Sequence, residues 1–95
     1  MAQNTTIACP AGVWTLLTNS DVTALRAVNL GTEGIFLQGT VGTVAPSTTA
    51  GALPLLPNQI IAADLELTKV FPGVVGANRV YAYAASASSV SVSHA

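Results

Sequence analysis

The sequence predicts a single all-β domain: a small sandwich or barrel, jelly-roll-like, of about seven or eight short strands with at most one helical turn. Segments between turn signals are rich in Val, Ile, Thr and Tyr, and their apolar residues recur with period two or in short runs. Turn signals recur about every 8 to 12 residues, which is typical of β-sandwiches and small barrels. A length of 95 residues leaves room for one domain, residues 1–95.

The first half of the chain contains four predicted strands. Residues 4–8 form a short strand that ends at a Cys-Pro-Ala-Gly turn, because proline lacks a backbone donor. Residues 13–18 are the second strand, and an Asn-Ser-Asp turn follows it. Residues 22–29 include good helix formers, but their alternation favours a strand. Residues 35–41 are the fourth, with Gly39 as a bulge or a point of close approach.

The second half begins with a loop and ends with the clearest strand. Residues 42–51 form a loop by composition, and residues 53–56 lie between prolines, which limits them to an extended edge segment. Residues 60–67 are predicted as a strand that runs into a single helical turn, stopped by Phe-Pro-Gly. Residues 79–84 and 89–93 alternate strictly and are predicted as the last two strands.

The low charge of the chain excludes several functional classes. Charged residues make up 7% of the sequence, against about 25% in an ordinary domain. Three dispersed cations and a net charge of −1 cannot neutralise a nucleic-acid backbone.

No uninterrupted apolar run is long enough to span a membrane, and the N-terminal residues do not have the pattern of a secretory signal. A single cysteine excludes an intramolecular disulfide.

The same composition favours a subunit of a larger assembly. Small domains often need a disulfide, a metal or association with another chain to reach adequate stability. A surface with few charges and many neutral or apolar residues promotes association. We therefore expect a homo-oligomer whose neutral surfaces are covered by neighbours, with both termini in inter-subunit contacts.

The sequence assigns no catalytic residue, no cofactor and no metal site. His94, the one histidine, stands next to the C-terminus, where a rigid triad is not expected. Asp64 and Glu66 fall on one face of a predicted strand, but two carboxylates fall short of a calcium ligand set. Cys9 has no nearby cation that would activate its thiol. A solvated face and a small buried cysteine explain these residues better than chemistry does.

The candidate contact residues lie on predicted strands. Arg79, Tyr81 and Tyr83 share one strand face, and we expect Arg26 to join them. Tyrosine and arginine are favoured at interface hot spots. Packing in the core is the competing interpretation for the two tyrosines. Trp14 is interpreted as a core or inter-subunit anchor. The candidate interface residues are Trp14, Arg26, Leu53, Leu55, Arg79, Tyr81 and Tyr83.

Several short segments together resemble small virion proteins of tailed bacteriophages. They are residues 12–18 (GVWTLLT), Ala45-Pro46 with Gly51-Ala52, residues 71–74 (FPGV), residues 79–82 (RVYA) and residues 90–95 (VSVSHA). The resemblance is to all-β proteins of the head-decoration (cement) or head-spike-base kind. It implies an outer-capsid location and an oligomer, with a trimer favoured. It implies no catalytic residue, because such proteins work through the surface that grips the capsid.

The expected function is therefore that of a non-enzymatic capsid decoration protein that bridges major capsid subunits, on a virion assembled in the host cytoplasm. Its expected partners are further copies of itself, the major capsid protein and a spike or fibre protein, with no nucleic acid and no membrane. The alternatives are a head-spike base, a tail protein, or a host-glycan-binding module with Arg79, Tyr81 and Tyr83 as its contact strip. A small hydrolase is disfavoured because no nucleophile–base pair is present.

Overall fold

Most consecutive strands alternate between two four-stranded antiparallel sheets in the computed structural model, which describes residues 2–94. The predicted all-β class is confirmed, and the predicted helical turn is present as one four-residue helix. The elements are β1 (Gln3–Cys9), β2 (Trp14–Leu16), β3 (Arg26–Asn29), β4 (Ile35–Thr40), β5 (Leu53–Leu55), β6 (Ile60–Ile61), α1 (Leu67–Val70), β7 (Arg79–Tyr83) and β8 (Ser88–His94).

The strand order is that of a jelly roll. One sheet has the order β1-β8-β3-β6 and the other has the order β2-β7-β4-β5. The first strand therefore pairs with the last, the second with the seventh, the third with the sixth, and the fourth with the fifth. A long antiparallel ribbon folded over on itself produces this pattern, which gives two sheets and not a closed barrel. Of the two predicted architectures, the sandwich is the one adopted.

The core lies between the two sheets and follows the period-two pattern of the strands. In β4 the side chains of Ile35 and Leu37 are buried, whereas those of Phe36 and Gln38, which alternate with them, are only half-buried. In β8 the side chains of Val90 and Val92 are fully buried between half-buried serines. Because side chains alternate across a strand, each sheet has one inner face and one outer face.

Gly39 lets the aromatic ring of Phe71 pack directly against β4. A Cβ atom at Gly39 would lie 2.6 Å from Cδ2 of Phe71, closer than side chains tolerate. Phe71 is 6% exposed and follows α1, so the helical turn is fastened to the inner face of the β2-β7-β4-β5 sheet. The predicted close approach at Gly39 is confirmed.

Three predicted strands are half their expected length or less. Of residues 13–18 only Trp14–Leu16 forms a strand. Within residues 22–29 only Arg26–Asn29 forms a strand, because Val22 and Leu25 are both buried at a spacing of three, which strand alternation does not allow. Within residues 60–67 only Ile60–Ile61 is paired. The segment that follows turns, with the Leu65 backbone N–H donating to the Ala62 carbonyl.

The carboxylates Asp64 and Glu66 consequently do not share a strand face. Asp64 lies in the turn that follows β6, and Glu66 is the residue immediately before α1. The side chain of Glu66 forms an ion pair with Lys69 one helical turn away, at 3.8 Å. Both partners are mostly exposed, so this pair contributes little to stability.

Candidate functional site

The outer face of the β2-β7-β4-β5 sheet carries most of the aromatic side chains of the protein. Register places Trp14 opposite Tyr83, Tyr83 opposite Phe36, and Phe36 opposite Pro54, in one row across all four strands. Four of the five aromatic residues lie on this outer face, and the fifth, Phe71, is in the core. We define the aromatic face by five residues: Trp14, Phe36, Pro54, Tyr81 and Tyr83.

The aromatic face is largely apolar and partly open to solvent. Trp14, Phe36 and Tyr83 are half-buried and Pro54 is exposed. The rings of Trp14 and Tyr83 lie with their centroids 5.4 Å apart and their planes tilted by 50°. Such tilted pairs favour one relative orientation of the two rings. Trp14 and Tyr83 therefore form one joined aromatic surface at this end of the row.

Tyr81 is the least exposed member of this face. Only 6% of its surface is accessible, although it points away from the core between Arg79 and Tyr83. Its cross-strand neighbours are Leu16 on β2 and Gln38 on β4. Flanking side chains on both sides leave it little surface of its own. Tyr81 thus supports the neighbouring residues of the face more than it presents a contact.

An ion pair lies at one end of the aromatic face. The Arg79 Nε donates a hydrogen bond to Oδ1 of Asp21 at 2.9 Å. The side chain of Arg79 is 16% exposed and that of Asp21 is 69% exposed. The charge of Arg79 is therefore matched locally, and the rest of the face carries no charged side chain.

The sheet topology separates the sequence-predicted contact residues into three groups. Trp14, Arg79, Tyr81 and Tyr83 lie together on the outer face of one sheet, as alternation predicts. The idea that Arg26 joins them is wrong, because β3 belongs to the other sheet. There the guanidinium of Arg26 donates to the Ser91 hydroxyl at 3.1 Å.

Leu53 and Leu55 point inward. Leu55 is 2% exposed within the core, and Leu53 is half-buried against it. Because Pro54 stands between them, it is the residue of β5 that faces outward. Sequence reasoning missed both Pro54 and Phe36 as surface residues. The alternation around Ile35 and Leu37 was the signal that would have placed Phe36 on the outer face.

The outer face of the other sheet has a different chemistry. Its β1 and β8 residues pair as Asn4 with Ser93, Thr6 with Ser91, and Ala8 with Ser89. Small hydroxyl side chains dominate the β1–β8 part of this surface, where the Arg26 guanidinium is bonded to one of them, whereas its β3–β6 part carries Val28 and Ile60. We call it the hydroxyl face and define it by six residues: Asn4, Thr6, Ala8, Ser89, Ser91 and Ser93.

The remaining reactive groups are dispersed. Within residues 2–94 no three His, Cys, Asp or Glu side chains gather closely enough to hold a metal ion. Cys9 is buried, and burial raises the pKa of its thiol, an effect that a hydrogen bond with the Thr15 side chain partly offsets. His94 is also buried, at the end of β8.

An open groove of about 480 Å³ lies beside β4, lined by apolar, amide and hydroxyl side chains such as Val44, Gln38 and Thr48.

Comparisons with family models, with curated proteins and with solved structures gave no match to this chain. No helix in residues 2–94 has the length and apolar character to cross a lipid bilayer.

Proposed function

We propose that this protein is a non-enzymatic structural subunit of a tailed-phage virion, a decoration or cement protein that sits on the outer capsid and bridges major capsid subunits. The observation that carries the proposal is the aromatic face. It presents Trp14, Phe36, Tyr83 and Pro54 in one row, on a sheet whose inner side already packs in the core. In the described chain Trp14, Phe36 and Tyr83 keep part of their surface exposed, and a capsid surface would cover that part.

The composition of this face supports a protein interface over a solvated surface. The buried centres of protein interfaces are depleted in charged residues and enriched in aromatic ones. Trp and Tyr are also the residues most often found to dominate binding energy. The charged group at the end of the aromatic face, Arg79, is already paired with Asp21. Burial of the row against another protein would therefore leave no charge without a partner.

The jelly-roll topology agrees with this role without establishing it. Viral capsid proteins and lectins are among the proteins built on this arrangement of two four-stranded sheets. A fold of this kind hosts many functions, so the proposal depends on the surface and not on the topology. The resemblance of the VWTLLT, FPGV, RVYA and VSVSHA segments to phage virion proteins points in the same direction.

The contrast between the two outer faces gives the contact an orientation. The aromatic face would lie on the capsid, and the hydroxyl face would point to water. Burial of hydroxyl groups costs free energy unless each finds a hydrogen-bond partner. Copies would associate with one another, with a trimer favoured by the resemblance. Contacts repeated over a shell convert modest individual affinities into firm attachment.

The test is a binding and stability experiment on capsids assembled from the major capsid protein encoded in the same genome. We expect the protein to saturate such capsids and to raise the temperature at which they disrupt. Tyr83→Ala should weaken binding at least about tenfold, as truncation of a central aromatic anchor does. The matched control is Ser93→Ala on the hydroxyl face, which should bind as the parent protein does.

Two outcomes would contradict the proposal. One is that decorated and bare capsids disrupt at the same temperature. The other is that Tyr83→Ala and Ser93→Ala bind capsids equally well, which would show that the aromatic face is not the contact. A particle image that places the protein at a spike base or on the tail would keep the virion role but reject the cementing one.

A second candidate function is binding of a host-surface glycan on the virion exterior. The tilted pair of Trp14 and Tyr83 is the observation that favours it, because sugar rings pack their C–H groups on such aromatic surfaces. Tyr81 is too buried to be the main contact, so Trp14 takes its place in the strip. A glycan array tests this candidate: saturable binding that Tyr83→Ala abolishes supports it, and an array without signal rejects it.

A further inference from the structure

The edge strand β1 differs from every other sheet edge in this protein. The end strands of the two sheets are β1, β6, β2 and β5. β1 has seven residues, whereas β2 and β5 have three and β6 has two. β5 also contains Pro54, a residue that blocks pairing at an edge. Three edges are therefore short, and one is long.

β1 carries none of the devices that keep an edge strand from pairing. Its sequence, QNTTIAC, has no charged residue, no proline and no glycine. All seven residues are in continuous register with β8, so no bulge twists the strand away. Soluble proteins normally protect a long edge with lysine, proline or a bulge. An unprotected edge of this length is a template for another strand.

The direction of the hydrogen bonds identifies which groups face outward. The Leu30 N–H donates to the Ser89 carbonyl at 2.9 Å, which continues the β3–β8 ladder. In an antiparallel pair the bonding direction alternates along a strand. The backbone N–H and C=O groups of Ser89, Ser91 and Ser93 therefore point towards β3. Those of Val90, Val92 and His94 point towards β1.

The same alternation then applies on β1. The partners of Val90 and Val92 on β1 are Ile7 and Thr5. Their N–H and C=O groups are used in the β1–β8 ladder. The groups that point away from the sheet, on the open side of the strand, belong to Asn4, Thr6 and Ala8. The side chains of these three residues are exposed.

We propose that β1 pairs with β1 of a second copy, antiparallel and centred on Thr6, so that two sandwiches share one continuous eight-stranded sheet. Thr6 then lies opposite Thr6 of the second copy, and Asn4 lies opposite Ala8. The two-fold axis repeats the pair of Asn4 and Ala8, so there are three pairs, and each exchanges two backbone hydrogen bonds, about six in all. Every outward-facing N–H and C=O of Asn4, Thr6 and Ala8 obtains a partner.

The occupant that we propose is β1 of a second copy, because no other strand of the described chain offers an open edge that could pair with the whole of β1. No other open edge of comparable length exists among the described strands. The strand has no charge, so placing it against itself brings no like charges together. The central threonines face each other on the hydroxyl face, and threonine pairs across strands are favourable.

This contact differs from the one proposed for the capsid and is tested on the isolated protein. It uses the edge of the first sheet, whereas capsid attachment uses the aromatic face of the second. It is also symmetric, so it joins copies two by two in solution, and the trimer that the resemblance favours on the capsid would use a different contact. A failure of edge pairing leaves the capsid experiment untouched, and the reverse holds as well.

The first measurement is the mass in solution by sedimentation equilibrium or light scattering. We expect a dimer, with twice the 9.6 kDa of one chain. Thr6→Pro removes the central donor from the open edge without breaking a bond to β8, and it should give a monomer. Thr6→Val keeps the donor and the strand preference and should remain a dimer. Circular dichroism on both variants establishes that each is folded.

Thr6→Lys gives the same information if the proline variant does not fold. Two lysines would face each other at the two-fold axis and weaken the pairing by charge repulsion. We expect the loss of the dimer to be reversed by high salt, which screens this repulsion. The proline variant should show no such recovery.

Cysteine cross-linking tests the register. Opposed residues of a hydrogen-bonded pair have Cα atoms about 5.5 Å apart, within the range of about 4.4–6.8 Å that a disulfide accepts. Thr6→Cys should therefore form a disulfide-linked dimer under mild oxidation. Asn4→Cys is the matched control, because two Asn4 residues would be separated by on the order of 14 Å along the strands. It should remain largely unlinked.

Several results would overturn the inference. These are a wild-type protein that is monomeric at its highest soluble concentration, an oligomer that Thr6→Pro leaves intact, and equal cross-linking of Thr6→Cys and Asn4→Cys. A protein that is monomeric alone and pairs only with a strand of a capsid protein falls under the first of these results.

Discussion

The Asn29 amide nitrogen lies 3.0 Å from the carbonyl oxygen of Leu55, so a residue of one sheet is hydrogen-bonded to an edge strand of the other. Asn29 is completely buried. The same nitrogen donates to the Glu33 carbonyl, and the side-chain oxygen accepts from the Gly31 N–H and the Ser88 hydroxyl. One side chain thus connects the two sheets and the turn between them.

Replacement of Asn29 by aspartate should be strongly destabilising. A carboxylate cannot donate to the Leu55 and Glu33 carbonyls, and it places a charge where no cation is available. Loss of a buried partner of this kind costs about 3 to 5 kcal/mol, a large part of the stability of a small domain. Urea denaturation followed by circular dichroism measures the change. Asn19→Asp, in an exposed turn, is the control and should leave the midpoint almost unchanged.

Gly39→Ala should destabilise the protein by about 1 to 3 kcal/mol through overpacking. The added methyl group would collide with the ring of Phe71, which the surrounding core holds in place. Gly73→Ala is the matched control, because nothing lies within 4 Å of a Cβ atom there. Thermal unfolding of both variants checks the prediction. A Gly39 variant as stable as the Gly73 variant would mean that Phe71 moves aside freely.

The Cys9 thiol should be unreactive in the native protein. It is 1% exposed, and burial raises its pKa, so both access and the thiolate population are low. We expect modification by a thiol reagent to proceed only as fast as the protein opens, and to become rapid in denaturant. Rapid reaction of the folded protein at neutral pH would be inconsistent with the burial of this side chain.

The raised pKa of Cys9 also predicts a pH dependence of stability. The native state holds the thiol proton at pH values where the unfolded chain has lost it. The free energy of unfolding should therefore fall as the pH rises above about 8.5, the ordinary pKa of a thiol. In Cys9→Ala the free energy of unfolding should lack this part of its fall with rising pH. Parallel slopes for parent and variant between neutral and alkaline pH would refute it.

The ion pair between Arg79 and Asp21 should contribute less than about 1 kcal/mol, because Asp21 is mostly exposed. A double-mutant cycle with alanine at both positions isolates this coupling, which should decrease with added salt. Arg79→Ala alone should destabilise more than Asp21→Ala alone, since the arginine stem is largely buried and packs as well as pairs. The reverse order would show that the charge interaction dominates.

Period-two alternation was sufficient to predict the fold class and much of the aromatic face. It placed Arg79, Tyr81 and Tyr83 on one side of a strand because a strand offers only two sides. It could not predict which strands share a sheet, and for this reason Arg26 was grouped with them wrongly. In a jelly roll, neighbouring strands come from distant parts of the chain, so pairing depends on the whole topology.

The role of Asn29 was not predictable from the local sequence either. Asparagine is common in turns, and nothing in the residues next to Asn29, at the end of a predicted strand, indicates that its side chain is buried. Its partners come from residues as far away as Leu55 and Ser88, which only the folded chain brings together. The segment around Val22 and Leu25 failed for a related reason. The Val22 N–H donates to the Asn78 carbonyl, and the Thr23 carbonyl accepts from the Leu67 N–H. Single hydrogen bonds of this kind produce no periodic pattern in the sequence.

The pairing of β1 with β8 brings the two ends of the described chain side by side, with Gln3 opposite His94. A short glycine-rich peptide between these ends could close the described chain into a circle. Joining the ends reduces the conformational freedom of the unfolded chain. We expect such a circularised form to melt at a higher temperature than its linear parent.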